Sequence, residues 1–200
     1  MHATAHIGPN AILQHLPLLH SSLGPNATSA LLAQAGLAQP PAAHGMVAQA
    51  TVARFHNAVT QHLGARAPAL QWAAGVGTGR YILANRIPRP AQALLRALPS
   101  AWGARLLTRA ILQHAWTFAG SGQLQVIQRS PLVLGLHQNP LAIAAPPATS
   151  PSCHWHAAVF QTLFSALIWP AAQVRETGCM ACGDACCSFQ ILPHPANSHM

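Results

Sequence analysis

The fold is decided by the C-terminal segment 153–192, which reads CHWHAAVFQTLFSALIWPAAQVRETGCMACGDACCSFQIL. Its first half is strongly apolar and predicts a helix that begins near Cys153 and ends before Pro170, because proline cannot continue a helix. Two short strands, Ala172–Thr177 and Cys187–Leu192, are predicted on either side of a turn that is rich in cysteine. This segment therefore predicts a small antiparallel sheet packed against a helix.

The same segment contains all five cysteines of the chain and its only glutamate, Glu176. Thiolates are soft ligands that suit zinc, and a tetrahedral site needs four donors that converge on one point. On spacing alone, Cys179, Cys182, Cys186 and Cys187 are the candidate ligands. An iron–sulfur cluster on the five cysteines is a crowded alternative, and plain buried thiols are another, since cysteine is common in protein cores. The clustering and the odd number disfavour a disulfide framework and favour a reducing, cytoplasmic location.

Length, composition and charge limit the classes of protein and partner. A chain of 200 residues with 51% hydrophobic content is sufficient for one domain with a sizeable core. The formal charge of +8 comes from ten arginines and no lysine, set against Glu176 and Asp184. Acidic small molecules or an anionic membrane surface are therefore favoured partners, whereas nucleic acid is disfavoured because no recognised motif accompanies the dispersed arginines. No apolar stretch is long enough for a transmembrane segment, and no signal-peptide pattern opens the chain.

Upstream of the C-terminal segment, the chain is first helical and then strand-forming. Apolar periodicity predicts helices at Asn10–Leu23, from Asn26, and at Met46–Leu63, Pro68–Ile82 and Ser100–Phe118. Ser100 is predicted to cap the last of these helices and Gly120 to end it. The runs Gln123–Gln128 and Leu132–His137 predict a β-hairpin.

Three glycines, Gly75, Gly77 and Gly79, interrupt the fourth predicted helix. Glycine-rich turns bind phosphates when they connect a strand to a helix, but no strand precedes this run and the chain has no lysine for a phosphate loop. Since glycine lowers the intrinsic stability of a helix, we expect these residues to permit the close approach of a neighbouring backbone.

Together these elements predict an α+β fold in a single domain at 1–192. Its mainly helical part spans 7–120, and the sheet, a helix and the cysteine-rich metal-binding part span 121–192. The tail 193–200 is predicted to be disordered.

Five stretches carry a resemblance to a known family. They are IGPNAILQ at 7–14, YILANRIP at 81–88, HAWTFAGSG at 114–122, NP at 139–140 and CHWHAAVF at 153–160. In this order they resemble the bacteriochlorophyll 4-vinyl reductase (divinyl protochlorophyllide 8-vinyl reductase) family over residues 7–192. The C-terminal part also resembles the wider 4-vinyl reductase domain, a small-ligand module found in aromatic-compound sensors.

The domain pattern implies a set of metal ligands. It consists of a Cys, a Glu-x-x-Cys and a later Cys before Phe-x-Ile, and it falls on Cys153, Glu176, Cys179 and Cys187, with Gly183, Phe189 and Ile191 also matching. The resemblance thus implies a structural zinc site of three thiolates and one carboxylate, with no open position for substrate. Adjacent residues on a strand point to opposite faces, which argues against one ion bound by both Cys186 and Cys187. Cys182 and Cys186 depart from the pattern and are spare thiols or alternative ligands.

The resemblance implies a role in bacteriochlorophyll biosynthesis, with a vinyl-bearing tetrapyrrole as ligand or substrate. The family name implies an 8-vinyl reductase, but vinyl reduction needs a hydride or electron source, and the sequence shows no nicotinamide, flavin or clear iron–sulfur motif. We therefore expect a protein that binds and delivers porphyrin or chlorophyllide intermediates, with magnesium chelatase as a candidate partner. A true 8-vinyl reductase is the alternative. An aromatic small-ligand sensor is a second alternative, disfavoured because no output domain accompanies the module.

The resemblance also implies the ligand-binding domain fold shared by nitric-oxide sensors and Golgi tethering subunits, and with it a candidate homodimer. A flat macrocycle with propionates suits an apolar pocket lined by a few polar groups. The candidate ligand-binding residues are Trp72, Tyr81, Trp116 and Phe118 for stacking, Arg80, Arg86 and Arg89 for carboxylates, and His154 and His156 for magnesium ligation or proton donation. The alternative interpretations are a solvated basic face for the arginines and an ordinary helix start for the two histidines. No catalytic residue is assigned.

Overall fold

The computed structural model describes residues 5–194 and has an α+β architecture, which confirms the predicted class. In chain order its elements are β1 (His6–Ile7), α1 (Asn10–Leu13), α2 (Leu16–Gln34), β2 (Val47–Ala48), α3 (Gln49–Leu63), α4 (Ala67–Asn85), α5 (Arg89–Ala97), α6 (Ser100–Gln113), α7 (Trp116–Ala119), β3 (Gln123–Arg129), β4 (Leu132–His137), α8 (Pro140–Ile143), α9 (His154–Leu167), β5 (Gln173–Gly178) and β6 (Cys187–Leu192). None of the helices in this part of the chain is both long enough and apolar enough to span a membrane. Residues 195–200 of the predicted tail lie outside the described residues.

The sheet of the C-terminal half has the strand order β3-β4-β6-β5, and all its neighbours are antiparallel. Its buried face packs against α9, where the rings of Phe160 and Phe189 are 5.2 Å apart between centroids. Pairing of β5 with β6 shifts between Glu176 and Gly178, which is the signature of a β-bulge. The bulge lies directly before Cys179 and ends β5 at the cysteine-rich turn.

Helix α4 packs closely against α9 through its glycines, as the sequence predicted. A Cβ atom added at Gly75 would lie 2.7 Å from the Cβ of Ala158 and would also meet the carbonyl oxygen of Trp155. A Cβ atom at Gly79 would lie 2.6 Å from the Cβ of Thr162. Both distances are shorter than real carbon contacts, so only glycine permits this approach.

We expect Gly75→Ala to destabilise the protein by about 2 kcal/mol, because the added methyl group forces α4 away from α9. Gly77→Ala is the matched control on the same helix. A Cβ atom at Gly77 would meet the Oε1 atom of Gln14 at 2.8 Å, which is the end of a flexible side chain. Since alanine is favoured over glycine in a helix interior by about 1 kcal/mol, the control should be neutral or stabilising. Urea unfolding of both variants tests this, and equal midpoints would contradict it.

Two details of the helical half differ from the sequence prediction. The helix predicted at Ser100–Phe118 is two helices, because α6 ends at Gln113 and α7 forms a separate short turn. Ser100 is the first helical residue rather than the N-cap, a position occupied by Pro99 without a side-chain cap. The short β1–β2 pair was not predicted, since two-residue strands carry no detectable periodicity.

Candidate metal centre and arginine groove

Four side chains converge where α9, β5 and β6 meet. Cys153 directly precedes α9, Glu176 lies on β5, Cys179 follows β5, and Cys187 begins β6. One potential ligand atom from each of them lies within 4.8 Å of the other three. The structure therefore brings together the four residues that the domain pattern implies.

The spacing of the sulfur atoms suits a tetrahedral ion. The Sγ atom of Cys153 lies 3.3 Å from that of Cys187 and 3.9 Å from that of Cys179. Ligands placed at about 2.3 Å from zinc in a tetrahedron are about 3.8 Å apart. All three thiols are buried, so solvent does not compete for the site. The donor set and its spacing fit a structural zinc ion.

The charges at this site are unbalanced without a cation. Burial raises the pKa of Glu176 to about 8, and a hydrogen bond with the Cys153 thiol lowers the pKa of Cys179 to about 4. Hydrogen bonding with Cys179 and Cys187 raises the pKa of Cys153 well above its usual value. The Oε2 atom of Glu176 accepts a hydrogen bond from the Cys153 backbone N–H at 2.7 Å, whereas Oε1 is buried without a partner in the described residues. A divalent cation would favour ionisation of all four donors and supply the partner that Oε1 lacks.

A buried asparagine supports the sulfur atoms from outside the donor set. The Nδ2 atom of Asn139 donates to the Sγ atoms of Cys153 and Cys187, each at 3.4 Å. Its Oδ1 atom accepts from the backbone N–H of Leu141 and caps α8. Sequence reasoning did not assign Asn139 to the site, and the Asn-Pro dipeptide was the one available signal.

The two remaining cysteines lie outside the group. Cys182 is exposed, and Cys186 is partly buried with its Sγ atom 3.3 Å from the hydroxyl of Ser188. Cys186 points to the opposite face of the sheet from Cys187, where its sulfur would be 3.4 Å from a Cβ atom at Gly135. The set suggested by spacing alone is thus not brought to one point.

A groove of about 550 Å³ lies between the C-terminal half of α4 and α5. It is lined by Arg80, Leu83, Ala84, Arg89, Gln92 and Arg96. Gln92 donates hydrogen bonds to the carbonyl oxygens of Leu83 and Ile87, which holds α5 against the end of α4. Arg96 donates to the carbonyl oxygen of Ala166 and so connects the groove to α9.

The arginine groove has no acidic neighbour to neutralise it. The chain has two acidic residues, and both are engaged at the cysteine-rich turn, where Glu176 accepts from the Cys153 N–H and Asp184 from the Cys179 N–H. Within residues 5–194, arginine side chains other than those of Arg54 and Arg96 donate no hydrogen bond. The guanidinium groups of Arg80 and Arg89 are therefore available to an anionic ligand.

A smaller cavity of about 190 Å³ lies beside the metal centre. Its lining includes His56 and Gln71 from the helical half, and Cys153, Trp155 and His156 from the start of α9. Pockets for ligands of drug size measure about 300–1,000 Å³, so this cavity suits a single aromatic ring rather than a macrocycle.

Three histidines and Trp155 form a buried aromatic row that sequence reasoning missed. The ring centroids are 4.8 Å apart for His15 and His56, 5.7 Å for His56 and Trp155, and 4.9 Å for Trp155 and His156. Burial lowers the pKa of His56 to about 4 and that of His156 to about 3, and it lowers the pKa of His15 well below its usual value. All three imidazoles are therefore neutral at pH 7.

Comparison with known proteins identifies relatives over nearly the whole chain. The 4-vinyl reductase domain family matches residues 132–193. The bacteriochlorophyll synthase 23 kDa chain of Cereibacter sphaeroides is 48% identical over 192 residues, which cover 96% of this chain and 93% of that protein. The chain belongs to the bacteriochlorophyll synthase 23 kDa family. The relative in Rhodobacter capsulatus is 44% identical over 187 residues, which cover 94% of this chain and 87% of that protein.

Membership of the bacteriochlorophyll synthase 23 kDa family confirms the resemblance that the sequence motifs indicated. The match to the 4-vinyl reductase domain contains all four donors of the candidate metal centre and Asn139. The arginine groove, at residues 80–96, lies outside it. The metal centre therefore belongs to the shared domain, and the groove to the helical part that this chain shares with its 23 kDa relatives.

The structure distributes the nine predicted ligand residues over several places. Arg80 and Arg89 line the groove, and Arg86 lies beside them with its guanidinium 5.9 Å from the Tyr81 ring centroid. The other five candidates lie elsewhere: Trp72 is half-buried against the core, Trp116 is exposed on α7, Phe118 packs on His156 and Phe160, His154 is half-buried near Cys179, and His156 lines the smaller cavity. Arg96, which sequence reasoning did not select, completes the groove.

We expect Asn139→Ala to weaken zinc binding by about 10- to 100-fold, because the two sulfur atoms lose their hydrogen-bond donor. Asn139→Ser is the matched variant, since serine retains an oxygen that caps α8 but not the Nδ2 donor. Both variants should show the same weakened zinc binding in competition with a chromophoric chelator, and the serine variant should be the more stable of the two. Zinc affinities equal to that of the wild type would contradict a supporting role for Asn139.

Proposed function

We propose that this chain is an accessory protein of bacteriochlorophyll biosynthesis that binds porphyrin or chlorophyllide intermediates and delivers them to partner enzymes. Its membership of the bacteriochlorophyll synthase 23 kDa family supports the pathway. The observation that carries the binding role is the arginine groove. Magnesium chelatase and a vinyl-reducing enzyme are the recipients that we propose, and the cytoplasm is the proposed location.

The groove has the size and the charge for an anionic macrocycle. Its volume of about 550 Å³ lies within the range of ligand pockets, whereas that of the smaller cavity does not. Arg80 and Arg89 offer planar guanidinium groups, each able to bind a propionate carboxylate in a bidentate manner. Leu83 and Ala84 provide an apolar wall for the ring. The combination suits a flat, largely apolar ligand with two acidic arms.

The zinc ion in this proposal is structural. Cys153, Glu176, Cys179 and Cys187 would hold it, and four protein ligands leave no position for water or substrate. When bound, it would fix the start of α9 to the cysteine-rich turn of the sheet. The residues of the chain then bind and orient the tetrapyrrole without themselves supplying redox chemistry.

An absorption titration with divinyl protochlorophyllide tests the proposal. We expect a saturable shift of the Soret band and no further change when NADPH is added anaerobically. A progressive blue shift to the monovinyl spectrum would instead establish the alternative, an 8-vinyl reductase. No spectral response would contradict tetrapyrrole binding altogether.

The double variant Arg80→Ala, Arg89→Ala tests the position of the ligand. Since a hydrogen bond to a charged group contributes about 1.5–3 kcal/mol, we expect the dissociation constant for divinyl protochlorophyllide to rise at least tenfold. Arg129→Ala is a control, because this exposed arginine lies at the end of β3 and is absent from the groove. Unchanged affinity in the double variant would place the tetrapyrrole elsewhere.

The smaller cavity favours a second candidate function, the binding of a small aromatic molecule. An engineered apolar cavity of about 150 Å³ is enough for benzene, and the cavity beside Trp155 measures about 190 Å³. His56 and Gln71 would provide polar contacts to a hydroxyl group. Isothermal titration with phenol tests this function, and absence of heat at millimolar phenol would contradict it.

A further inference from the structure

Helix α6 is amphipathic in a way that leaves an apolar stripe facing solvent. Its residues Gly103, Ala104, Leu107, Thr108 and Ile111 are buried. On the opposite side, Trp102 and Leu106 lie one helical turn apart and are 65% and 43% exposed. Trp102 has the largest exposed fraction among the large hydrophobic residues of the described chain. We call Trp102, Arg105, Leu106 and Arg109 the α6 face.

The α6 face is basic as well as apolar. Arg105 and Arg109 are exposed and lie one turn apart, flanking Trp102 and Leu106. Residues 89–119, which span α5 to α7, contain four arginines and no acidic residue. The packing of α6 is firm, because a Cβ atom at Gly103 would lie 3.1 Å from the Leu95 carbonyl oxygen of α5 and from the Ile168 side chain. The exposed side chains therefore project from a fixed helix.

We propose that the α6 face binds the surface of an anionic lipid bilayer. Tryptophan prefers the boundary between headgroups and acyl chains, where its ring is buried and its N–H remains hydrated. Arginine bonds to phosphate while its aliphatic stem covers apolar surface. An apolar stripe flanked by arginines is the pattern of helices that lie in the plane of a membrane interface. This proposal does not depend on the tetrapyrrole ligand.

Charge also separates this partner from a second copy of the chain. A twofold-symmetric dimer through the α6 face would bring Arg105 and Arg109 of one copy towards those of the other. The face offers no carboxylate to offset that repulsion, because both acidic residues of the chain lie at the cysteine-rich turn. An anionic bilayer, in contrast, provides phosphate groups at high density.

Co-sedimentation of the full-length protein with vesicles tests the proposal. We expect binding to mixed phosphatidylglycerol–phosphatidylcholine vesicles that weakens with added salt, and much weaker binding to pure phosphatidylcholine. Arg105→Gln, Arg109→Gln should reduce the partition coefficient roughly 30-fold, at about 1 kcal/mol for each lipid-facing arginine. Trp102→Ser, Leu106→Ser should abolish the quenching of tryptophan fluorescence by brominated lipid.

A matched control pair lies on the outer strand β3. Ile127 is 49% exposed and Arg129 is also exposed, so Ile127→Ser, Arg129→Gln removes an apolar and a basic side chain at another surface. This control should bind mixed vesicles like the wild type. Failure of the wild type to bind anionic vesicles at low salt, or equal losses in control and α6 variants, would overturn the proposal. Self-association that is abolished by the Trp102 and Leu106 changes would assign the face to a dimer instead and would also overturn it.

Discussion

A Cys179→Ser, Cys187→Ser double variant is expected to lose its bound zinc and to accumulate as insoluble protein. The two thiolates provide half of the candidate donor set, and the Sγ atoms of Cys179 and Cys187 both lie within 4 Å of Cys153 Sγ. A structural zinc ion contributes on the order of 10 kcal/mol to folding, which equals or exceeds the whole stability of many domains. Loss of the ion therefore removes the connection between the start of α9 and the sheet.

The control for this experiment is Cys182→Ser, Cys186→Ser, which changes the same number of thiols outside the group. This variant should retain about one zinc per chain by elemental analysis, together with soluble expression and the wild-type circular dichroism. Zinc retention in the Cys179 and Cys187 variant would refute the proposed centre. Zinc loss in both double variants would show that the spare thiols also serve as ligands.

The second large effect is a steep loss of stability in mild acid. His15, His56 and His156 are buried in the neutral form, and burial lowers the pKa of each below its unfolded value of about 6.5. The unfolded chain thus binds more protons below pH 6.5, and the stability present above this pH is lost as the pH falls. Each histidine contributes a slope of up to about 1.4 kcal/mol per pH unit, so the row contributes up to about 4.

The variant His15→Leu isolates one member of this row. Both ring nitrogens of His15 are buried without a partner in the described part of the chain, so leucine removes an unsatisfied polar group as well as a titrating one. Between pH 5 and 6, we expect its unfolding free energy to depend on pH less steeply by about 1.4 kcal/mol per pH unit. His20→Leu, at an exposed position of α2, is the matched control and should retain the wild-type slope. Equal slopes for His15→Leu and the wild type would contradict the neutral buried state of His15.

The sequence predicted the elements whose signals are local. The helices that carry Gly75 and Phe160, and the strands β3 to β6, follow from periodicity and from turn residues near each element. The close approach at Gly75 was also predictable, because glycines within a helix have a steric purpose when no phosphate motif explains them. Local pattern and packing agree at these positions.

What could not be predicted depends on contacts between distant segments. Spacing selects Cys182 and Cys186 because they are near Cys179 in the chain, whereas packing of α9 on the sheet brings Cys153 to Cys179 across 26 residues. The domain pattern implied Cys153, but no pattern assigned Asn139 a role at the sulfur atoms. The histidine row is likewise invisible in the sequence, because His15 and His56 meet only where helices cross.

The hydrogen bond from Arg96 to the carbonyl oxygen of Ala166 has a consequence for synthesis of the protein. The arginines of the groove emerge from the ribosome early, but their support on α9 is made some seventy residues later, as the sequence separation of 70 between Arg96 and Ala166 requires. The helical half cannot seal against α9 through Gly75 and Gly79 until then. A nascent chain therefore exposes its apolar helices for most of translation, which makes it a client for chaperones that bind such segments co-translationally.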